Sequence, residues 1–328
     1  MFADHLDKKI CTPEVDMVPN RNGYGDGLKA AGEKDPNVVA LCCDLTGSTR
    51  TNIFADAFPE RFVQVGIAEQ SMVSVASGMA AMGKVAFCSS YAMFSPGRSW
   101  EQVRTTVAYN DSNVKLIGAH AGVSVGPDGA THQAIEDIAI MRVIPNMVVL
   151  APVDVHQAHK ATMAAAEFVG PVYIRIAREK TPVVTTVDSP FEIGKAYTYL
   201  YKENSHEKTV GIIVTGILTH SAIEAAKELN DSNIGVSVLC MPTIKPLDTA
   251  ALDTFGQEHE YIVTLEEHQI AGGLGSAVAE YYSQTNPKRV IRMGVDDEFG
   301  QSGTPEELLA HYGMDAKAVI ETVKKLVK

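Results

Sequence analysis

The chain lacks several features that would have placed it in a particular class of protein. No apolar run in its 328 residues approaches the roughly 20 that a membrane-spanning helix needs. Positive charge is scarce. The 28 Lys and Arg against 40 Asp and Glu leave a net charge of −12, which argues against a nucleic-acid or anionic-membrane binder. The first 20 residues are polar, acidic and interrupted by Pro13 and Pro19, unlike a secretory signal. Five cysteines occur (Cys11, Cys42, Cys43, Cys88 and Cys240), an odd number without metal-ligand spacing. Most of them lie in apolar, strand-like runs where a reduced thiol behaves as a small hydrophobe, so a reducing cytoplasm is the expected location. Short-period repeats and low-complexity segments are also missing.

What is there is an ordinary globular composition, 45% hydrophobic and 21% charged, long enough for about two domains. Short β-branched runs alternate with helical patterns, the signature of an α/β fold of mainly parallel sheets flanked by helices. In the first half, strands are expected at 37–43, 62–65, 84–90, 113–119, 147–151 and 172–177. Helices are expected between them, over 22–33, 68–82, 97–109, 132–142 and 154–168. The stretch 181–190 carries Pro182 and Pro190 and no helical period, so it reads as a linker. A second, smaller α/β domain follows, with strands at 209–215, 235–241, 261–265 and 290–294 and helices at 219–230, 273–284, 304–312 and 315–327. The expected division is an extension over 1–20, a first domain over 21–180 and a second over 191–328.

The segment Val65-Gly66-Ile67-Ala68-Glu69-Gln70 is the most informative. An apolar strand passes through a glycine and delivers one carboxylate to an Ala- and Met-rich helix that has almost no other charge before Lys84. In such apolar surroundings Glu69 is expensive to ionise and its pKa is expected to rise, a property enriched at functional sites. Acids also favour the first turn of any helix, and the local sequence leaves both readings open. A second cluster, His120 to His132, follows a strand and holds two histidines and Asp128 in a glycine-rich loop. Ligands of open α/β sheets sit outside the carboxyl ends of strands, although Asp128-Gly129 also suits a plain turn. Phe87, Tyr91, Phe94 and Trp100 form either core or a platform for a flat ligand. Arg21, Arg50, Arg98 and Arg178 lie near turns and would have to converge in order to hold a phosphate.

Gly66-Ile67-Ala68-Glu69-Gln70, the His120–His132 loop and Leu265-Glu266-Glu267-His268 with Gly272-Gly273-Leu274-Gly275 together resemble the C-terminal half of a transketolase. The resemblance runs over nearly the whole chain from about Arg21. It implies a thiamine diphosphate pyrimidine-binding domain followed by a transketolase C-terminal domain. Full-length members of that family begin with a further domain that binds the diphosphate and Mg²⁺ through Gly-Asp-Gly and a downstream Asn. Gly25-Asp26-Gly27 and Asn52 imitate that pair, but the preceding Val18-Pro19-Asn20-Arg21-Asn22-Gly23-Tyr24 cannot be the buried strand the motif needs. The segment is expected to be the opening helix of the pyrimidine domain instead. The implied protein is one subunit of a split transketolase, with no metal ligands of its own. Its partner is an N-terminal subunit carrying the diphosphate-binding domain and Mg²⁺, in an α₂β₂ assembly.

The resemblance also implies roles. A glutamate at the position of Glu69 hydrogen-bonds N1′ of the cofactor aminopyrimidine and favours the imino tautomer that activates thiazolium C2. Asp44 corresponds to an aspartate beside the cofactor, and Tyr91, Phe94 or Phe87 to the aromatic platform. His120, Asp128 and His132 correspond to the loop that contacts substrate hydroxyls, with His132 near the donor's C1 hydroxyl and Asp128 near the acceptor's C2 hydroxyl. Arg21, Ser48, His120 and Arg178 correspond to the positions that hold the sugar phosphate. The expected reaction moves a two-carbon ketol unit from a ketose phosphate to an aldose. Two departures stand out. Ala68-Glu69-Gln70 replaces the frequent Arg-Glu-His, and Pro127 replaces a common Glu. The first is a spelling shared by split transketolases and 1-deoxyxylulose-5-phosphate synthases; the latter, with 2-oxoacid dehydrogenase β subunits, form the second reading.

Overall fold

Each apolar run expected as a strand is one, and the order of those strands positions the site. The computed structural model describes residues 1–202 and 209–328. Its strands are β1 (Met17–Pro19), β2 (Val38–Cys42), β3 (Phe62–Gln64), β4 (Val85–Tyr91), β5 (Val114–Ala119), β6 (Val148–Leu150) and β7 (Val172–Arg175). They continue as β8 (Lys180–Pro182), β9 (Tyr197–Leu200), β10 (Thr209–Val214), β11 (Gly235–Cys240), β12 (Thr243–Lys245), β13 (Tyr261–Gln269) and β14 (Val290–Val295). A seven-stranded sheet has the order β12-β6-β7-β5-β4-β2-β3, parallel throughout except for β12. A five-stranded sheet has the order β14-β13-β10-β11-β9, with β9 alone antiparallel.

Every residue of β2, β5 and β7 is buried, as strands covered by helices on both faces must be. The period of two decides which face each residue serves. Val38 and Ala40 pack with Tyr24 and Leu28 of the helix Asn20–Lys34 and with Ala161 and Ala165 of the helix Val155–Glu167. Val39 and Leu41 face the other way, onto Met72, Val73 and Ala76 of the helix Glu69–Ala81. Gly25-Asp26-Gly27 is helical, inside Asn20–Lys34, with Asp26 exposed. Its glycines serve close packing: a Cβ on Gly27 would lie 2.9 Å from the His159 carbonyl oxygen.

Several elements escaped the sequence patterns for identifiable reasons. β1, β8, β9 and β12 have three or four residues each, too few for a period, and Pro19 and Pro182 mark β1 and β8 as unlike interior strands. The short helix Asn52–Ala57 and the helix Thr249–Glu258 were also unexpected. The expected helix 97–109 is one α-turn, Trp100–Gln102, continued as a π-helix over Val103–Ala108. The expected helix 132–142 begins only at Asp137, because His132 to Glu136 belong to the preceding loop.

Residues 1–20 and 181–190 are integrated parts of the fold. β1 pairs with β8, and Leu6 and Ile10 are buried in the core of the second domain beside Val210 and Val236. The buried Asp154 organises the connector. Its carboxylate caps a helix through the Gln157 N–H (3.0 Å) and accepts from Val184 N (2.7 Å), Thr185 N (2.6 Å) and Thr185 Oγ1 (2.7 Å). Asp154→Ala should therefore lower the unfolding free energy by about 3 kcal/mol or more, because it orphans several buried donors at once. Urea denaturation of the chain measures this, and Asp154→Asn should lose less.

Candidate active site

β2, β3, β4, β5 and β7 end at the same edge of the first sheet, and the segments leaving those ends carry most of the expected site residues. Asp44 and Ser48 follow β2, Glu69 follows β3, Tyr91 and Phe94 come from β4, His120 to His132 follow β5, and Arg178 follows β7. Arg21 joins them from the first turn of its helix. Gly66, at φ +75°, turns the chain out of β3 so that Glu69 opens its helix, and the carboxylate ends up 1% exposed.

Glu69 is not the isolated acid that its sequence neighbours suggested. Arg98 Nη1 lies 2.7 Å from its Oε2, and the Ser90 hydroxyl is 3.5 Å from its Oε1. The same guanidinium stands 5.1 Å from the centre of the Phe94 ring. This cation corrects the expectation of an uncompensated carboxyl: burial is offset by a charge-assisted hydrogen bond. Arg98 is also removed from the phosphate-type arginines. A planar, nitrogen-rich cation that donates to Glu69 while lying over an aromatic ring makes the contacts an aminopyrimidine needs, so these residues fit such a group.

The aromatic residues divide. Tyr91 stacks on His120 (3.9 Å between centroids) and more loosely on Phe94 (5.9 Å), and His132 meets Phe94 edge-on at 5.5 Å. Phe87 does not belong with them. It is fully buried among Tyr24, Leu28 and Phe54, because it lies mid-strand, four residues short of the end of β4 where Tyr91 reaches the rim. Trp100 donates its indole N–H to the Ile140 carbonyl (2.9 Å) and packs against the core.

The histidines and arginines converge. His120 is 2% exposed at φ +54°, and its Nδ1 is buried without a partner. Burial, reinforced by Arg21, Arg178 and His132, lowers its pKa to about 3. His132 is half-buried, with Nδ1 2.9 Å from the Thr131 hydroxyl. Arg21 donates to the Ser48 carbonyl (2.8 Å) and leaves its Nε buried and unpartnered. Its pKa is lowered by burial first and then by Arg50 and Arg178, the mark of like charges held close together. Arg178 donates to the Val125 carbonyl (2.7 Å), with Asp128 at 3.5 Å and Glu179 at 3.2 Å. Such a cationic cluster with an idle buried donor suits an anion. Asp44 is exposed at φ +55°, its N–H donating to Gln64 Oε1 (2.8 Å).

Sequence reasoning missed Gln133, which is 2% exposed and donates to the carbonyls of Val123 (2.9 Å) and Gln301 (3.0 Å), tying the loop to the second domain. Its place next to His132 was the one available signal.

With this geometry in hand, comparison with known proteins is informative. Residues 16–183 match the family model of the transketolase pyrimidine binding domain, and residues 201–319 match that of the transketolase C-terminal domain. A Methanocaldococcus jannaschii protein named as a transketolase C-terminal section is 44% identical over 312 residues, 93% of this chain and 96% of that one. One of the subunits of the apulose-4-phosphate transketolase of Phocaeicola vulgatus is 36% identical over 313 residues, 95% and 98% of the two chains. A solved structure described as a split gene transketolase, inactive beta4 tetramer, superposes with a TM-score of 0.86 at 42% identity, covering 94% of this chain and 98% of that one.

Two measurements on the chain alone test this geometry. Arg98→Ala should cost about 1–3 kcal/mol in urea unfolding by leaving a buried carboxylate unpaired, and adding Glu69→Gln should restore much of the loss. The second concerns pH. The folded pKa values of His120 and His259 are lowered by burial from 6.5 to about 3 and about 4, so below 6.5 the unfolded chain binds more protons. Stability should be full above that pH and fall as pH drops toward 4, by up to about 1.4 kcal/mol per unit for each histidine. His120→Asn should flatten the slope.

Proposed function

We propose that this chain, which belongs to the transketolase family, is the pyrimidine-side subunit of a two-subunit transketolase that moves a ketol unit from a ketose phosphate to an aldose or aldose phosphate. The observation carrying this reading is the buried Glu69 carboxylate, held by the Arg98 guanidinium that lies over Phe94, on the rim that also gathers Arg21, Arg178, His120 and His132. The family uses thiamine diphosphate, which when bound supplies a carbanion equivalent for making and breaking carbon–carbon bonds.

Each residue then has a task that follows from its surroundings. Glu69, buried and freed at Oε2 once Arg98 swings aside, shares a proton with the pyrimidine at that oxygen. Phe94 and Tyr91 offer flat apolar area to the pyrimidine, and Asp44, exposed after β2, takes the place beside the cofactor. Arg21 and Arg178, with His120 and the Ser48 turn, hold the sugar phosphate by charge-assisted hydrogen bonds. His120, neutral across the physiological range, donates or accepts one hydrogen bond without bringing a second charge. His132 reaches the donor's C1 hydroxyl, and Asp128 the acceptor's C2 hydroxyl. Residues 21–180 are the pyrimidine-binding domain and 191–328 the C-terminal domain of this reading. Mg²⁺ and the diphosphate fall to the partner subunit, since Gly25-Asp26-Gly27 is spent on helix packing here. An α₂β₂ assembly completes the site.

A second reading, a 1-deoxyxylulose-5-phosphate synthase-like or 2-oxoacid dehydrogenase β-like subunit, is favoured only by the spelling Ala68-Glu69-Gln70. The test is reconstitution with the partner, thiamine diphosphate and Mg²⁺. Sugar phosphates should exchange two-carbon units, pyruvate should release no carbon dioxide, and this chain alone should be inert. Glu69→Ala should remove activity by about 10²-fold or more. A Glu69→Ala complex with full activity would sink the mechanism, and carbon dioxide from pyruvate would favour the second reading.

A further inference from the structure

The motif Leu265-Glu266-Glu267-His268 has no role in the reading above, yet it lies against the loop that carries several of them. β13 runs past its expected end at 265 to Gln269, and its polar residues meet different partners. Glu266 accepts from Leu274 N (2.7 Å) and Gly275 N (2.8 Å) and so caps the helix Leu274–Gln284. His268 accepts from Ala139 N at 3.3 Å. Glu267, 3% exposed, turns toward the loop and accepts the Ser124 N–H on Oε1. Gly122, at φ +90°, lies so close that a Cβ there would stand 2.2 Å from the Glu267 carboxyl carbon.

Arg175 ties down the other end of the loop. Its Nη2 donates to the carbonyls of Ala134 (3.3 Å) and Glu267 (2.7 Å), while its Nε binds Asp137 at 2.9 Å. Residue 267 therefore holds the loop twice, by its carboxylate at Ser124 and, through Arg175, by its carbonyl near Ala134. Between these points the loop offers the Val125 carbonyl and the Asp128 carboxylate to one guanidinium, that of Arg178. Burial raises the Glu267 pKa, against which Arg175 and Ser124 act. A carboxyl is thus a costly choice for packing alone.

We propose that Glu267, from the second domain, is a positioning residue for the sugar phosphate: it fixes the backbone of the 120–134 loop and thereby aims Arg178, His120 and His132. This rests on the transketolase reading above.

The test compares Glu267→Gln, Glu267→Asp and Glu267→Ala. Hydrogen exchange is followed by mass spectrometry on the full chain, and steady-state kinetics on its complex with the partner subunit, thiamine diphosphate and Mg²⁺. Gln keeps an acceptor oxygen at the same reach and should preserve both exchange and KM. Asp and Ala should speed exchange at 120–134 and raise the donor KM about ten- to a hundredfold, leaving the cofactor Kd and the exchange of Glu69–Ala81 unchanged. Parental exchange and KM in the Asp and Ala variants would overturn the proposal. So would an equal defect in the Gln variant, or protection lost across both domains. If Ala does not fold, the contrast between Gln and Asp decides. The exchange measurement needs no turnover, so an inactive parent complex would count against the transketolase reading while exchange still judges the hold of Glu267 on the loop.

Discussion

A carboxylate withdrawn from water must be given donors, and this fold meets that demand at five places on which much else depends. Glu69, Asp137, Asp154, Glu266 and Glu267 are each no more than 3% exposed. Arg98 serves Glu69, Arg175 and Tyr173 serve Asp137, and backbone N–H groups serve the other three. Except for Glu266, which caps the helix just after its own strand, these pairings join elements distant in sequence: a helix to a connector, and one domain to the other. Burying a charge is expensive when unpaired, so these contacts specify geometry as well as contribute stability. The site inherits its shape from them. Glu69 opens its helix with Arg98 on one oxygen and the Ser90 hydroxyl near the other, and the histidine loop is held at both ends by groups it does not itself contain.

The site is polarised along the sheet edge. At one end the buried Glu69 carboxylate is held by Arg98, whose guanidinium lies over the Phe94 ring, with Tyr91 beyond it. At the other, Arg50 and Arg178 stand close enough to Arg21 to add to the lowering of its pKa by burial, a concentration of positive charge that suits an anion. The neutral His120 stacks on Tyr91 between them and separates the two environments without adding charge.

Long, buried parallel strands were legible because each carries its own period, and Val38–Cys42 or Val114–Ala119 needs no tertiary information to be recognised. The three-residue edge strands carry no period, and they exist only because a partner strand lies alongside. Glu69 could be singled out from its apolar flank, but Arg98 is 29 residues away and reaches it only when β3 and β4 bring their ends to the same edge. Phe87 and Tyr91 looked alike in the sequence. They share one face of β4, and their separation into core and rim is decided by position along it: Phe87 lies mid-strand, Tyr91 at the end that reaches the sheet edge. Glu267 was visible only as part of a motif, since its partners, Ser124 and Gly122, belong to the other domain.

β12 has a bearing on how the two halves can move. Thr243–Lys245 leaves the second domain to pair with β6, so a strand of one domain is the outermost strand of the other's sheet. Hinge opening between the halves would have to peel that strand away and expose the ladder edge of β6, a ready template for aggregation. The halves are thus interlocked, and the chain should meet its surroundings as one rigid block. Adaptation to a ligand is left to loops and side chains, Arg98 first among them, since its guanidinium is half exposed while the carboxylate it holds is not.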